Sequence, residues 1–161
     1  MKLATTLLVV SCVGLLAGCA NPRSLDPGQS TESDVRARLG SPTGTHTDRS
    51  GDRLLEYATG PQGFETYMVR LGGDGKVKQV TQVLTEEQLD KVIVGKTTKD
   101  EVAMMFGRRF EEITYMPGLT WTWRYNKGAI QPGWLIVVFN PDGTVQSKIA
   151  VVEPSGGSRD N

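Results

Sequence analysis

The side chains best suited to chemistry are few and poorly grouped. His46 is the only histidine among 161 residues, and the two cysteines are Cys12 and Cys19. One imidazole cannot build a multi-histidine metal site, and two cysteines give neither a zinc signature nor a disulfide framework. A Ser-His-Asp site would need every partner to converge on His46, which stands in the polar stretch Gly44-Thr45-His46-Thr47 and reads as a solvated loop residue. No Gly-x-Ser-x-Gly elbow is present. Asp74-Gly75 and Asp142-Gly143 lack the alternating oxygen donors and closing Glu of a calcium loop, and they read as turns. Gly72-Gly73-Asp74-Gly75 precedes no helix, so it is no phosphate loop. Carboxylates are scattered over helix ends and turns. With 18 Lys+Arg against 18 Asp+Glu the chain offers no electrostatic footprint for nucleic acid. These residues predict a protein that is not an enzyme and has no metal or cofactor.

Cys19 is the exception. Residues 1–18 begin with Lys2, run through Leu7, Leu8, Val9, Val10, Val13, Leu15 and Leu16, and exit through Ala17 and Gly18. A basic start, an apolar stretch of about ten residues and a small-residue exit make a secretory signal. As a membrane span it is too short, since a spanning helix needs roughly 20 apolar residues. Leu16-Ala17-Gly18-Cys19 resembles the bacterial lipobox, which implies cleavage before Cys19 and acylation of that cysteine on both its thiol and its new amine. Multiple acyl chains anchor firmly where a single chain binds marginally. Ala20 stands where an Asp would direct inner-membrane retention, so the resemblance implies an outer-membrane anchor facing the periplasm. Cys12 leaves with the signal, and the processed chain then has no free thiol and no intramolecular disulfide.

The elements that follow are written twice. Residues 19–30 read as a lipidated tether, rich in turn formers and without apolar periodicity. Beyond it, Gly28, Thr31, Asp34, Val35, Leu39 and Gly40 match Gly95, Thr98, Glu101, Val102, Phe106 and Gly107 at one constant offset. With one residue inserted, Tyr57, Val69, Leu71, Asp74, Gly75 and Val77 match Tyr125, Val137, Phe139, Asp142, Gly143 and Val145. Two tandem units are expected, 25–84 and 85–154, with a disordered tail at 155–161.

Each unit opens with a short helix. Thr31 with Asp34, and Thr98 with Glu101, have capping-box spacing, and Val35/Leu39 and Val102/Phe106 each give one apolar face. Gly40 and Gly107 stand where a left-handed cap ends a helix. Thr85-Glu86-Glu87-Gln88 reads as a further capping box opening a short helix through Leu89 and Val92. Strands are predicted at 54–59, 64–71 and 77–84, then at 110–115, 119–125, 134–140 and 145–152, with tight turns enforcing antiparallel order. The expected class is α+β: two tandem small domains, each with one or two short helices packed on a three- to four-stranded antiparallel sheet. About 60 residues per unit is marginal alone, so the sheets are expected to share an interface or a continuous surface.

All three tryptophans lie in the second unit. Trp121, Trp123 and Tyr125 alternate and share one face, which reads either as core beneath the helix or as a binding surface. Tyr115, Trp121 and Trp134 are candidate partner anchors. Arg108-Arg109 follows the helix stop where the first unit has Ser41-Pro42, and as a functional pair it would meet anionic headgroups or an acidic partner.

The second unit, through Gly95-Lys96-Thr97-Thr98-Lys99-Asp100-Glu101-Val102, Phe106-Gly107, Trp121-x-Trp123-x-Tyr125 and Val138-Phe139-Asn140-Pro141-Asp142-Gly143, resembles the SmpA/OmlA (BamE-like) family of small outer-membrane lipoproteins. The first unit carries the same signature as Gly28-x-x-Thr31-x-x-Asp34-Val35 and Leu39-Gly40-Ser41-Pro42. The resemblance implies a non-enzymatic α+β domain held by lipid on Cys19 and working through contacts with envelope proteins, the β-barrel assembly machine among them. The tandem arrangement is also similar to the β-lactamase inhibitor proteins, which implies an alternative role as a periplasmic enzyme inhibitor or ligand-binding module.

Overall fold

In the computed structural model, residues 21–60, 63–115, 118–127 and 131–153 are described. The leader, Cys19 and the tail at 155–161 lie outside the described residues. A helical turn at Pro22–Ser24 leads into α1 (Glu32–Leu39) and four strands, β1 (Gly44–Thr47), β2 (Arg53–Ala58), β3 (Thr66–Leu71) and β4 (Val77–Gln82). Then come α2 (Glu86–Asp90), α3 (Lys99–Phe106), β5 (Glu111–Tyr115), β6 (Gly118–Lys127), β7 (Gln131–Phe139) and β8 (Val145–Val152). The strands form two four-stranded sheets in meander order, β1-β2-β3-β4 and β5-β6-β7-β8, with every pairing antiparallel. Helices are few and short, and sheet dominates. Among the described residues no helix is long and apolar enough to cross a membrane.

Local chemistry sets the helix starts. Thr31 accepts from the Asp34 N–H while the Asp34 carboxylate accepts from the Thr31 N–H at 2.8 Å, and Thr98 and Glu101 do the same. Each reciprocal pair satisfies two amides that a helix start leaves without partners. Thr85 accepts from the Gln88 N–H, but only this half of the expected box forms, and α2 ends at Asp90. Glu86, in the first turn, accepts the Tyr125 hydroxyl at 2.6 Å, tying α2 to β6. Gly40 and Gly107 do end their helices with positive φ, but at ψ −155° and −148°. That backbone is not the left-handed helical cap expected from sequence; it is an extended mirror conformation open essentially to glycine alone.

The repeated glycines before each helix also have a pairing role. Gly28 N–H donates to the Val77 carbonyl at 2.7 Å, and Gly95 N–H to that of Val145 at 2.8 Å. Val77 N–H returns to Ser30 O, and Val145 N–H to Thr97 O. The segment before each helix is thereby laced to the strand after each Asp-Gly turn. For the same reason residues 21–30 do not behave wholly as a tether: Leu25 and Ser30 are buried, and Leu25 joins the first core.

Two cores result. Leu25 and Val35 pack with Leu55, Tyr57, Tyr67, Val69, Leu71 and Val77 on one face of the first sheet, under α1. The second joins Leu89, Val92, Val102 and Phe106 to Trp121, Trp123, Tyr125, Leu135, Val137, Phe139 and Val145. Met68, Val83 and Leu84, contributed by the first sheet unit, belong to this second cluster. The first sheet is therefore buried on both faces, as its unbroken runs of buried residues Leu54–Tyr57 and Thr66–Val69 require. The layers run α1, first sheet, α2 with α3, second sheet.

Candidate functional site at the junction of the two sheet units

Glu56 sits at the centre of the junction. It lies on β2 and is 3% exposed, and its carboxylate takes three side-chain and main-chain partners. Oε1 accepts from Thr43 Oγ1 at 3.1 Å and from the Arg108 backbone N–H at 2.9 Å; Oε2 lies 3.0 Å from His46 Nε2. His46 is therefore not a solvated loop residue. It stands on β1, opposite Leu54, with its ring half-buried against Glu56. β1 escapes a sequence reading because Gly44-Thr45-His46-Thr47 has no apolar alternation; it is held as an edge strand by its ladder and by Glu56. Gly107 closes over the same carboxylate, where an added Cβ would come within 2.6 Å of Glu56 Cδ. The carboxylate is saturated by these donors and does not line the neighbouring cavity, so the histidine–carboxylate pair here does positional work.

Beside the junction, the outer face of the first sheet and the α2/α3 layer leave a cleft of about 680 Å³. Its floor is Leu54, Met68, Val83, Met104 and Met105. Gln79 and Thr81 project from β4, with Gln88 and Lys91 opposite from the α2 segment. At one end the β1–β2 turn supplies Asp48, Arg49 and Ser50. The charges are mostly committed. Arg70 pairs with Asp48, and Arg49 with Glu101 at 2.5 Å. The Thr98 backbone N–H holds the Glu101 carboxyl below its usual range, so it stays anionic beneath Arg49. Among the described residues Lys91 pairs with Glu87, at 3.5 Å and well exposed, which is a weak hold. The side chains of Gln79, Thr81 and Gln88 donate no hydrogen bond among the described residues. No group of three or more potential metal ligands occurs among them either.

The residues singled out from sequence do not assemble into one surface. Cys19 lies outside the described residues. Trp121 is only 5% exposed and donates its indole N–H to Glu112 at 2.9 Å; with Trp123 and Tyr125 it is core, not a partner anchor. Trp123, 1% exposed, donates to the Gly107 carbonyl and packs on Phe106. Arg109 lies 4.3 Å over the Trp121 ring and pairs with Glu112, so it serves the second sheet internally. Arg108 has an exposed side chain, while its main chain is bound by Glu56. Tyr115 ends β5, paired with Gly118. Trp134 pairs across the ladder with Arg124, on the face opposite Trp121, and its buried indole nitrogen has no hydrogen-bond partner among the described residues.

That opposite face of the second sheet is mixed: Thr120, Thr122 and Arg124 share it with apolar side chains, Thr122 is buried, and Arg124 lies 4.5 Å over the Phe64 ring. Ile113 and Ile149 are 48% and 54% exposed, with Ile136 and Val138 half-buried between them and Phe110 at the edge. The corresponding face of the first sheet is the one covered by α3. Sequence reasoning missed the cleft, although a signal was present: Met104 and Met105 give α3 a second apolar side, where α1 has Ala37 and Arg38.

Compared with known proteins, the chain matches no family model, no curated protein and no solved structure.

Proposed function

We propose that this protein is a lipid-anchored outer-membrane lipoprotein, a tandem duplication of an SmpA/OmlA-like α+β unit, that works as a protein-contact scaffold in envelope or outer-membrane protein assembly. The observation that carries the anchoring is Leu16-Ala17-Gly18-Cys19 at the end of a short apolar leader. The contact role draws support from Ile113 and Ile149, large apolar side chains left exposed on the second sheet. Lys2 and the leader leave on processing, and attachment to the membrane then rests on acyl chains at Cys19. The equivalent opening helices, cap glycines and Asp-Gly turns support the duplication.

Crosslinking in intact envelopes, followed by purification, tests the scaffold. Recovery of a barrel-assembly or other envelope protein is expected; recovery of the chain alone removes the reading. Cys19→Ala tests the anchor separately. Unprocessed or soluble protein is expected, and unchanged fractionation and mass would mean that Cys19 carries no lipid.

The cleft favours a second reading, a periplasmic enzyme inhibitor or ligand-binding module similar to the β-lactamase inhibitor proteins. Its floor is Leu54, Met68, Val83, Met104 and Met105, not the Tyr115, Trp121 and Trp134 surface expected from sequence. Inhibition of a periplasmic β-lactamase by the purified chain is the direct measurement, and a lack of inhibition at micromolar concentration excludes it.

A further inference from the structure

We infer that the cleft between the first sheet and α3 binds an extended peptide segment that presents a bulky apolar side chain next to an acidic group. This deepens the scaffold reading and rests on it, by naming what kind of partner segment is held.

The floor of the cleft is apolar and adaptable. Met68, Met104 and Met105 join Leu54 and Val83 there. Thioether side chains are flexible and polarizable, and surfaces rich in them accept different apolar side chains without a fixed fit. A cavity of about 680 Å³ lies within the range of ligand sites and holds a few side chains, not a whole helix.

The walls select extended backbone. Gln79 and Thr81 on one side and Gln88 on the other have side-chain donors and acceptors with no hydrogen bonds among the described residues. An extended chain has free N–H and C=O groups to meet them, whereas a helix has already spent most of its own. An acyl chain offers these polar groups no hydrogen-bond partner. Charge sets the flank. Asp48 and Glu101 already have arginine partners, and of the three cations lining the cleft Lys91 lies farthest from its nearest ion-pair partner, so the charge left to recruit a ligand is positive. An acidic group beside the apolar anchor replaces Glu87 on Lys91.

The test uses the full chain reconstituted in phosphatidylcholine nanodiscs and a fluorescein-labelled peptide, Gly-Ser-Leu-Phe-Glu-Asp-Ser-Gly. Saturable binding by anisotropy is expected, with the methyl resonances of Met68, Met104 and Met105 shifting in NMR spectra as peptide is added. Met104→Trp, which fills the cleft, is expected to weaken binding about tenfold or more, the equivalent of one lost apolar anchor. Lys91→Glu, on an exposed side chain, is expected to remove the preference for this peptide over one with Lys-Lys in place of Glu-Asp, and it keeps the test open should Met104→Trp fail to fold. Binding that leaves the three methionine methyls unmoved, or survives both substitutions, overturns the proposal. So does decanoate binding more tightly than the peptide, which would make the site a lipid pocket. Failure of the peptide while envelope crosslinks persist removes only the cleft assignment; peptide binding without any envelope partner removes the scaffold and leaves the site.

Discussion

Glu56 Oε1 accepts the Arg108 backbone N–H at 2.9 Å, so a buried side chain of the first sheet grips the main chain just beyond α3. Removing that acceptor leaves the Arg108 amide, the Thr43 hydroxyl and the His46 ring without their shared partner. Glu56→Ala is expected to destabilise by about 3 kcal/mol, and Glu56→Gln by less, because one oxygen remains to accept. Urea unfolding midpoints measure both. A midpoint unchanged in the alanine variant would mean the junction is not held this way.

Gly107→Ala and Gly40→Ala form a matched pair. Both glycines have positive φ, 69° and 79°, in a backbone region nearly closed to other residues, which costs about 1–3 kcal/mol. At Gly40 an added Cβ meets nothing within 4 Å, whereas at Gly107 it meets Glu56. Gly107→Ala is therefore expected to cost about 1–3 kcal/mol more, the range for overpacking a tight site. Equal losses in calorimetric unfolding would show that the contact with Glu56 is not tight.

The capping boxes give the fold an acid limb. Asp34 and Glu101 are held below their ordinary values of 3.8 and 4.5, first by the N-cap backbone N–H of Thr31 and Thr98. Glu32, Glu86 and Asp142 shift the same way, led by hydrogen bonds from Arg53, Tyr125 and Thr144. A carboxylate whose folded value is depressed stabilises the fold above its ordinary value and stops doing so as pH falls through the folded one. Stability is thus expected to be flat from about pH 5 to neutrality and to decline on acidification below the ordinary carboxylate values. Glu101→Gln should shallow that decline, and Thr98→Ala should cost about 1 kcal/mol at neutral pH. An acid limb identical in wild type and Glu101→Gln would remove Glu101 from it.

Trp123 and Trp134 differ in what their indole nitrogens do. Trp123 donates to the Gly107 carbonyl at 3.2 Å, and Trp123→Phe is expected to cost about 1–3 kcal/mol through the lost bond and the smaller ring. Trp134 has a buried N–H with no hydrogen-bond partner among the described residues, so Trp134→Phe discards an unmet donor and is expected to fall within about 1 kcal/mol of wild type. Guanidinium unfolding of the two variants compares them. A larger loss at Trp134 would reveal a bond at that nitrogen.

The parts of the fold governed by nearby residues were legible in the sequence. Thr31/Asp34 and Thr98/Glu101 announce their helices because capping is local, and Gly72-Gly73-Asp74-Gly75 announces its turn for the same reason. Val145–Val152 matches its predicted strand at both ends. The Trp121/Trp123/Tyr125 alternation shows a shared face, but only packing against Phe106 and Phe139 makes that face core. What stayed hidden is contact between distant segments. Nothing near Glu56 in the chain points to Arg108, and β1 has no apolar alternation to betray it. The doubled apolar character of α3, Val102 and Phe106 on one side and Met104 and Met105 on another, was the one visible trace of the cleft.

Because α2 and α3 lie between two sheets, neither sheet unit has a complete boundary of its own. Cutting the chain after Leu84 would bare Leu54 and Met68, and starting it at Thr85 would bare Met104 and Met105 while deleting the acceptor that Arg108 uses. The repeat resembles two copies on paper but is expected to melt as one body: heating should give a single cooperative transition, with no stage at which one half stands while the other is lost.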